Sequence, residues 1–128
     1  MMKTTKQLIQ IAALALGALA LNQAMAHGAG KPQHGGVVQV ANDVSFELVA
    51  ETDGATIYLV DHDAPMSSKG IAGKLTVLQG SNKTEVEVKE AGDNKLRAVG
   101  VKLAKGDKVV AVLNNVEGKT ATVRFTVK

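Results

Sequence analysis

The feature that most constrains the fold is a two-residue hydrophobic alternation, which recurs through the chain from Val37 onward. It is clear in residues 44–48 (VSFEL) and 123–127 (VRFTV), where apolar and polar side chains exchange places at every step. Successive side chains of a strand point to opposite faces, so this period predicts strands with one buried and one solvated face. The sequence therefore predicts an all-β, antiparallel domain.

Turn-forming residues recur at short intervals and divide this region into strands. Asp53-Gly54, Glu117-Gly118 and the four-residue group 80–83 are such signals. They predict strands near residues 37–41, 44–50, 55–60, 73–79, 84–89, 95–103, 108–114 and 120–127. About seven or eight short strands at this spacing favour an Ig-like β-sandwich over residues 37–128, with a bulge at Gly100.

Residues 1–26 have the three parts of a secretory signal peptide. Lys3 and Lys6 form the basic start, residues 8–21 the apolar run, and Ala24-Met25-Ala26 the small-residue cleavage site. The apolar run is shorter than the roughly 20 residues that a membrane-spanning helix needs. We therefore expect a cleaved helical signal peptide and a periplasmic protein with no membrane anchor after cleavage.

Cleavage after Ala26 would leave a glycine-rich start, residues 27–36 (HGAGKPQHGG), for which we expect a flexible arm. Loss of Lys3 and Lys6 would leave 13 of the 15 basic residues against 12 acidic ones. This near balance excludes a strongly basic nucleic-acid binder. The absence of Cys excludes a disulfide scaffold, a thiolate zinc site and a cysteine nucleophile.

The histidines stand outside the predicted strands. His27 would become the first residue, so its α-amine and ring Nδ1 could chelate one metal ion. One further imidazole, for which His34 is a candidate, would complete a histidine brace, a tetragonal nitrogen arrangement that suits copper. The alternative is that both histidines are solvated residues of a flexible arm.

A second cluster lies in the long interruption at residues 61–73. His62 stands between Asp61 and Asp63, and carboxylates in such positions orient imidazole ligands and raise their basicity. Met66 would be the single methionine after cleavage, and its thioether is a soft ligand that favours Cu(I). The alternatives are a polar turn for residues 61–63 and, for Met66, a residue that caps the core.

These donors predict a site for a transition metal formed by His27, His34, His62, Met66, Asp61 and Asp63. Copper is favoured because nitrogen and thioether donors without thiolate suit both of its oxidation states, although zinc or nickel can use the same histidines. No phosphate-binding loop or nucleophile motif accompanies them, so we expect a binding protein and not an enzyme.

Three segments carry a family resemblance: residues 27–38, with KPQHGGVV at its end, residues 46–49 (FELV) and residues 58–61 (YLVD). In these the chain resembles small periplasmic proteins found with heavy-metal (copper, silver, cobalt–zinc–cadmium) efflux and resistance systems of Gram-negative bacteria. A looser likeness is to the CopC-type copper carriers, for which only His27 and His62 have counterparts. The resemblance implies a metal-binding accessory protein whose partner is an efflux or other metal-handling protein.

The expected function is therefore copper binding, sequestration or delivery in metal homeostasis or resistance. Two alternatives remain at the level of sequence. One is an Ig-like interaction module of the cell envelope with incidental histidines. The other is a histidine-brace copper oxidase, against which the small size and the near absence of aromatic residues stand.

Overall fold

The computed structural model describes residues 30–128, so the predicted signal peptide and His27 lie outside the described residues. The described part contains nine strands and no helix. They are β1 (Val37–Ala41), β2 (Val44–Glu51), β3 (Gly54–Asp61), β4 (Ala64–Pro65), β5 (Ala72–Gln79), β6 (Asn82–Glu90), β7 (Lys95–Val99), β8 (Lys108–Val116) and β9 (Lys119–Thr126). The prediction of an all-β domain is confirmed. Within the same residues, no helix has the length and apolar character needed to cross a membrane.

All strands pair antiparallel in one continuous sheet of order β1-β2-β3-β7-β6-β5-β8-β9, with β4 attached to β3. The end strands β1 and β9 contact each other without a hydrogen-bonded ladder, so the sheet nearly closes into a barrel. The predicted sandwich would have two separate sheets, whereas here β7 joins the two halves. Ala98 of β7 pairs with Ala55 on one side and with Val88 on the other.

The inward-facing side chains of the strands form one core. The alternation in the sequence predicts which side chains face inward. On β2 and β3, Phe46, Ile57 and Leu59 are at most 1% exposed. The other large side chains with almost no exposure are aliphatic: Leu75, Leu96, Leu113, Val44, Val77, Val88, Val109 and Val116. The core fills the barrel, so polar chemistry is left to its outer surface, its ends and the chain that precedes β1.

The turns differ from expectation in three places. Gly80 and Ser81 form a two-residue turn between paired Gln79 and Asn82, where a four-residue loop was expected. The strand predicted over residues 95–103 ends at Val99. Gly100 lies just beyond it with φ 101°, so it ends the strand and does not form a bulge within it.

The long interruption at residues 61–73 is more ordered than its sequence indicates. His62 and Asp63 both have positive φ, 50° and 65°, and join β3 to the short strand β4. Positive φ at both central residues is the type I′ turn typical of two-residue hairpins. Further along, Ser68 and Ile71 are buried, so this segment packs onto the domain.

Candidate functional site

The outer face of β2 carries a buried carboxylate. Glu47 occupies an outward position of the alternation, where a solvated side chain is expected, yet the residue is only 5% exposed. The segment before β1 folds back over it, and the backbone N–H groups of Gln33, His34 and Gly36 donate hydrogen bonds of 2.9, 2.8 and 2.9 Å to its two oxygens. His34 Nδ1 lies 3.1 Å from Glu47 Oε1. Four nitrogens thus surround one carboxylate.

Two opposing effects act on the ionisation of Glu47. Burial raises the pKa of the carboxyl, but the hydrogen bonds from Gly36, Gln33 and His34 favour the charged form and together hold the pKa below its usual value. The group is therefore a carboxylate at neutral pH. It places a negative charge beside Nδ1 of the His34 ring.

The last part of the segment predicted as a flexible arm, residues 33–36, is hydrogen-bonded to Glu47 of β2. Three backbone amides of this segment, those of Gln33, His34 and Gly36, donate to the one Glu47 side chain. Gly36 allows this close approach, since a Cβ atom there would lie 2.2 Å from the carbonyl oxygen of Leu48. We call residues 30–36 the arm below.

Replacement of Gly36 by Ala is expected to displace the arm from β2. The added methyl group cannot be accommodated against a backbone oxygen, so we expect a loss of about 1–3 kcal/mol in the free energy of unfolding, the usual range for overpacking. Chemical denaturation measures this loss. The matched control is Gly30→Ala, where a Cβ meets no atom within 4 Å and little change is expected. Equal stability of the two variants would contradict the close contact at Gly36.

The His34 ring is fixed from a second direction by Tyr58. The two rings stack with centroids 3.6 Å apart and planes 3° from parallel. Tyr58 lies on β3 directly across from Glu47, so both supports of the imidazole come from adjacent strands of the sheet. With Nδ1 bonded to the carboxylate, Nε2 is the ring nitrogen that can bind a metal.

A cavity of about 140 Å³ lies between the arm and the outer face of β1, β2 and β3. It is lined by Gly30, Lys31, Gln33, His34, Val38, Ser45, Glu47, Tyr58, Val60 and Asp63. The His34 side chain is 40% exposed, so the cavity is accessible from solvent at the imidazole. We call this cavity the arm site.

The other predicted ligands do not lie together in the structure. His62 is 86% exposed, with Nδ1 2.5 Å from Asp61 Oδ1, and it lines a separate depression with Asn42, Asp43 and Glu117. Asp63, the next residue, lines the arm site instead. The hairpin turn thus separates two residues that the sequence placed in one cluster.

Met66 and His27 complete the predicted set. Met66 is half-buried against the hydrophobic core, and its N–H donates to the Leu59 carbonyl at 3.0 Å. It lines neither the arm site nor the depression at His62. His27 lies outside the described residues. Within residues 30–128, no three histidine or carboxylate side chains are close enough together to hold a metal ion, so a metal at His34 needs donors from elsewhere.

Glu47, Tyr58 and Lys31 line the arm site, but the sequence did not predict them as site residues. Glu47 resembles any other outward acidic residue of an alternating strand. Tyr58 is the single tyrosine of the chain and faces outward in a strand whose other large side chains are apolar. The outward position of Tyr58 was the one sign in the sequence that another segment packs there, because a lone outward aromatic ring offers a surface on which the arm can pack.

The lowered pKa of Glu47 makes anchoring of the arm dependent on pH. The folded pKa is below the unfolded value of about 4.3, so the contribution of the carboxylate to stability is fully present above that value. It is lost as the pH falls through the lower folded pKa. We expect the arm amides of Gln33, His34 and Gly36 to lose their downfield NMR shifts in that acidic window. Shifts that begin to change near neutral pH would contradict this origin.

Comparison with known proteins adds no relative. No protein-family model matches the chain, and no curated protein or solved structure matches it significantly.

Proposed function

We propose that this chain is an exported periplasmic copper-binding protein that sequesters the ion or hands it to another protein. His34 would bind through Nε2, and His27 would bind through its α-amine and ring once the signal peptide is removed after Ala26. The observation that carries the proposal is the fixation of the His34 imidazole by a buried carboxylate at Nδ1 and by the Tyr58 ring.

This arrangement is the one in which imidazole ligands are found in metal sites. A carboxylate bonded to one ring nitrogen sets the tautomer, orients the ring and raises the basicity of the other nitrogen. A structural role for Glu47 in anchoring the arm requires only the three backbone bonds. The additional contact with the ring is what favours a ligand role for His34.

The position of the arm is compatible with a contribution from His27. Gly30 lines the arm site, and His27 precedes it by three residues. Three extended residues span at most roughly 10 Å, which is sufficient to return the α-amine to a cavity of this size. Nitrogen donors in such a set suit copper, and zinc or nickel are the competing ions.

Location on the outer surface suits exchange of the metal. Ligands carried by an arm can be replaced one at a time by those of a partner, so delivery to an efflux or other periplasmic metal-handling protein fits the site. The resemblance of residues 27–38 to proteins of metal-resistance systems supports the same partner class. Asp61, His62 and Met66 remain predicted ligands, but they lie apart from His34.

The test compares two forms of the mature protein, one beginning at His27 and one with a single glycine added before it. Tyr58 is the single tyrosine and the chain has no tryptophan, so its fluorescence reports on the arm site directly. We expect one Cu(II) per chain to quench it. The added residue should weaken binding by about 100-fold or more, because two tethered donors on one residue gain by avidity.

Each alternative result has a defined meaning. Equal affinity of the two forms would remove the amino-terminal chelate from the proposal. Absence of saturable binding of copper, zinc and nickel would reject the metal function and favour the interaction module. Mass spectrometry of protein purified from periplasm would report the first residue and any bound metal together.

A further inference from the structure

We propose that the seam, the gap between the facing edges of β1 and β9, binds an extended segment of a partner protein in which acidic and apolar residues alternate. The segment would add to the edge of β9 as an antiparallel strand. This inference does not depend on the copper function, because the cavity at the seam and the arm site have no lining residue in common. It is carried by two observations: the unpaired backbone edge of β9 and the charge of the side chains beside it.

The seam is closed at one end and open at the other. Asn42, just after β1, donates from Nδ2 to the Thr120 carbonyl oxygen near the start of β9, at 3.3 Å. At the opposite end, a cavity of about 480 Å³ lies between Val37 and Gln39 of β1 and the last part of β9. Gln39 pairs with buried Phe46 and therefore faces inward, yet it is exposed. The barrel is thus open to solvent at this end.

The edge of β9 presents backbone groups to the seam. In an antiparallel strand the N–H and C=O of one residue point to the same side, and that side alternates along the chain. The Thr120 carbonyl points toward β1, whereas Val127 bonds through both its N–H and its C=O to residues 106–107, which precede β8. Arg124 and Thr126, in step with Thr120, therefore direct their N–H and C=O groups into the seam. Within residues 30–128, β9 forms a ladder only with β8, so these groups can pair with an added strand.

The side chains around the cavity carry positive charge. Lys108, Arg124 and Lys128 line it, and no acidic residue of the described part of the chain does. Lys108 reaches toward the edge of β9, with Nζ 3.0 Å from Thr126 Oγ1. None of the three cations forms an ion pair with another residue of the range 30–128. A complementary partner segment is therefore acidic, since opposite charge across an interface guides recognition.

The geometry of an added strand sets where the acidic residues fall. A residue directly opposite Arg124 places its side chain on the same outer face, and so does the residue opposite Thr126, beside Lys108. Acidic side chains fit both positions. The residue between them lies opposite Phe125 and points inward toward Val37, where an apolar side chain fits. The seam therefore recognises an alternation of acidic and apolar residues.

The test adds an acetylated seven-residue peptide of alternating glutamate and valine to ¹⁵N-labelled protein that begins at His27, with no metal present. We expect saturable NMR shifts at the amides of Thr122, Arg124 and Thr126, and slower hydrogen exchange at Arg124 and Thr126. The matched probe is the same peptide with glutamine in place of glutamate. It should bind about tenfold more weakly, because it cannot form ion pairs with the cations of the seam.

Two protein variants test the charge and the backbone edge separately. Lys108→Gln combined with Arg124→Gln removes two exposed cations and should weaken binding of the acidic peptide about three- to tenfold. Lys119→Gln, at the closed end, is the control and should bind as the parent does. Thr126→Pro removes an N–H that points into the seam but is not needed for the ladder with β8, so it should weaken binding and abolish the slowed exchange. The charge variant alone decides the test if Thr126→Pro does not fold.

Three results would overturn the proposal. Equal binding of the two peptides would remove the role of charge, and absent or differently placed shifts would remove the seam as the binding surface. Shifts at the same amides that depend on protein concentration without peptide would assign the seam to a second copy of the chain. None of these results bears on copper binding, which quenching of Tyr58 fluorescence measures separately.

Discussion

Replacement of His34 by Gln is expected to abolish quenching of Tyr58 fluorescence by equimolar Cu(II), whereas the same replacement at His62 leaves it nearly unchanged. The His34 ring stacks on Tyr58 at 3.6 Å, so an ion on its Nε2 lies within quenching range of the phenol. His62 is 86% exposed and lines a different depression. Titration of both variants against the parent measures the contrast.

The pair of variants controls for general effects of histidine removal. The His34 ring contacts Glu47 and Tyr58, whereas the His62 side chain is 86% exposed, so the replacement at His34 is expected to lower the free energy of unfolding by more than the replacement at His62. Circular dichroism during the titration verifies that both remain folded. The opposite pattern, with quenching lost only in His62→Gln, would move the site to the hairpin turn between β3 and β4.

Replacement of Glu47 by Gln is expected to have the largest combined effect on stability and binding. The amide retains one acceptor oxygen and turns an NH2 group toward backbone N–H donors, so part of the anchoring of the arm is lost. We expect a decrease of about 1–3 kcal/mol in the free energy of unfolding, the usual consequence of leaving polar groups unsatisfied. Copper affinity should fall by about 10- to 100-fold, as when other carboxylates behind imidazole ligands are removed.

Glu87→Gln provides the matched control for that variant. Glu87 lies on β6, and 74% of its side chain is exposed. Its Oε2 atom forms an exposed ion pair with Lys89 Nζ at 3.6 Å. Such a pair contributes little, so stability should change by less than about 1 kcal/mol. Urea denaturation measures the free energies, and the NMR signals of residues 33–36 report the state of the arm. An unchanged arm in Glu47→Gln would show that the carboxylate does not hold it.

Much of the fold follows from local sequence. All eight predicted strands have counterparts in the structure, because alternation and turn residues act over a few positions. The order of the strands in the sheet cannot be predicted from such local patterns. Strand β7 pairs with its chain neighbour β6 and also with β3. The second pairing depends on contacts between residues more than 30 positions apart, such as Ala55 and Ala98, and no local pattern encodes it.

Only part of the candidate site could be predicted from the sequence. His34 was predicted as a ligand from its residue type and its position outside the strands, and this stays a prediction. Glu47 was not, because its burial results from an arm that lies 11 to 14 residues earlier in the chain. Asp61, His62 and Asp63 looked like one cluster in sequence, whereas a two-residue turn directs His62 and Asp63 into different surroundings.

The most direct test of the proposed copper site is the pattern of NMR line broadening when Cu(II) is added to ¹⁵N-labelled protein that begins at His27. The paramagnetic ion broadens the amide signals nearest to it, so the pattern locates the site without any mutation. We predict that broadening centres on His34, Glu47 and Tyr58, while Glu117 and Lys119 beside His62 stay sharp. Broadening at Glu117 and Lys119 with sharp signals at His34 and Tyr58 would contradict the arm site.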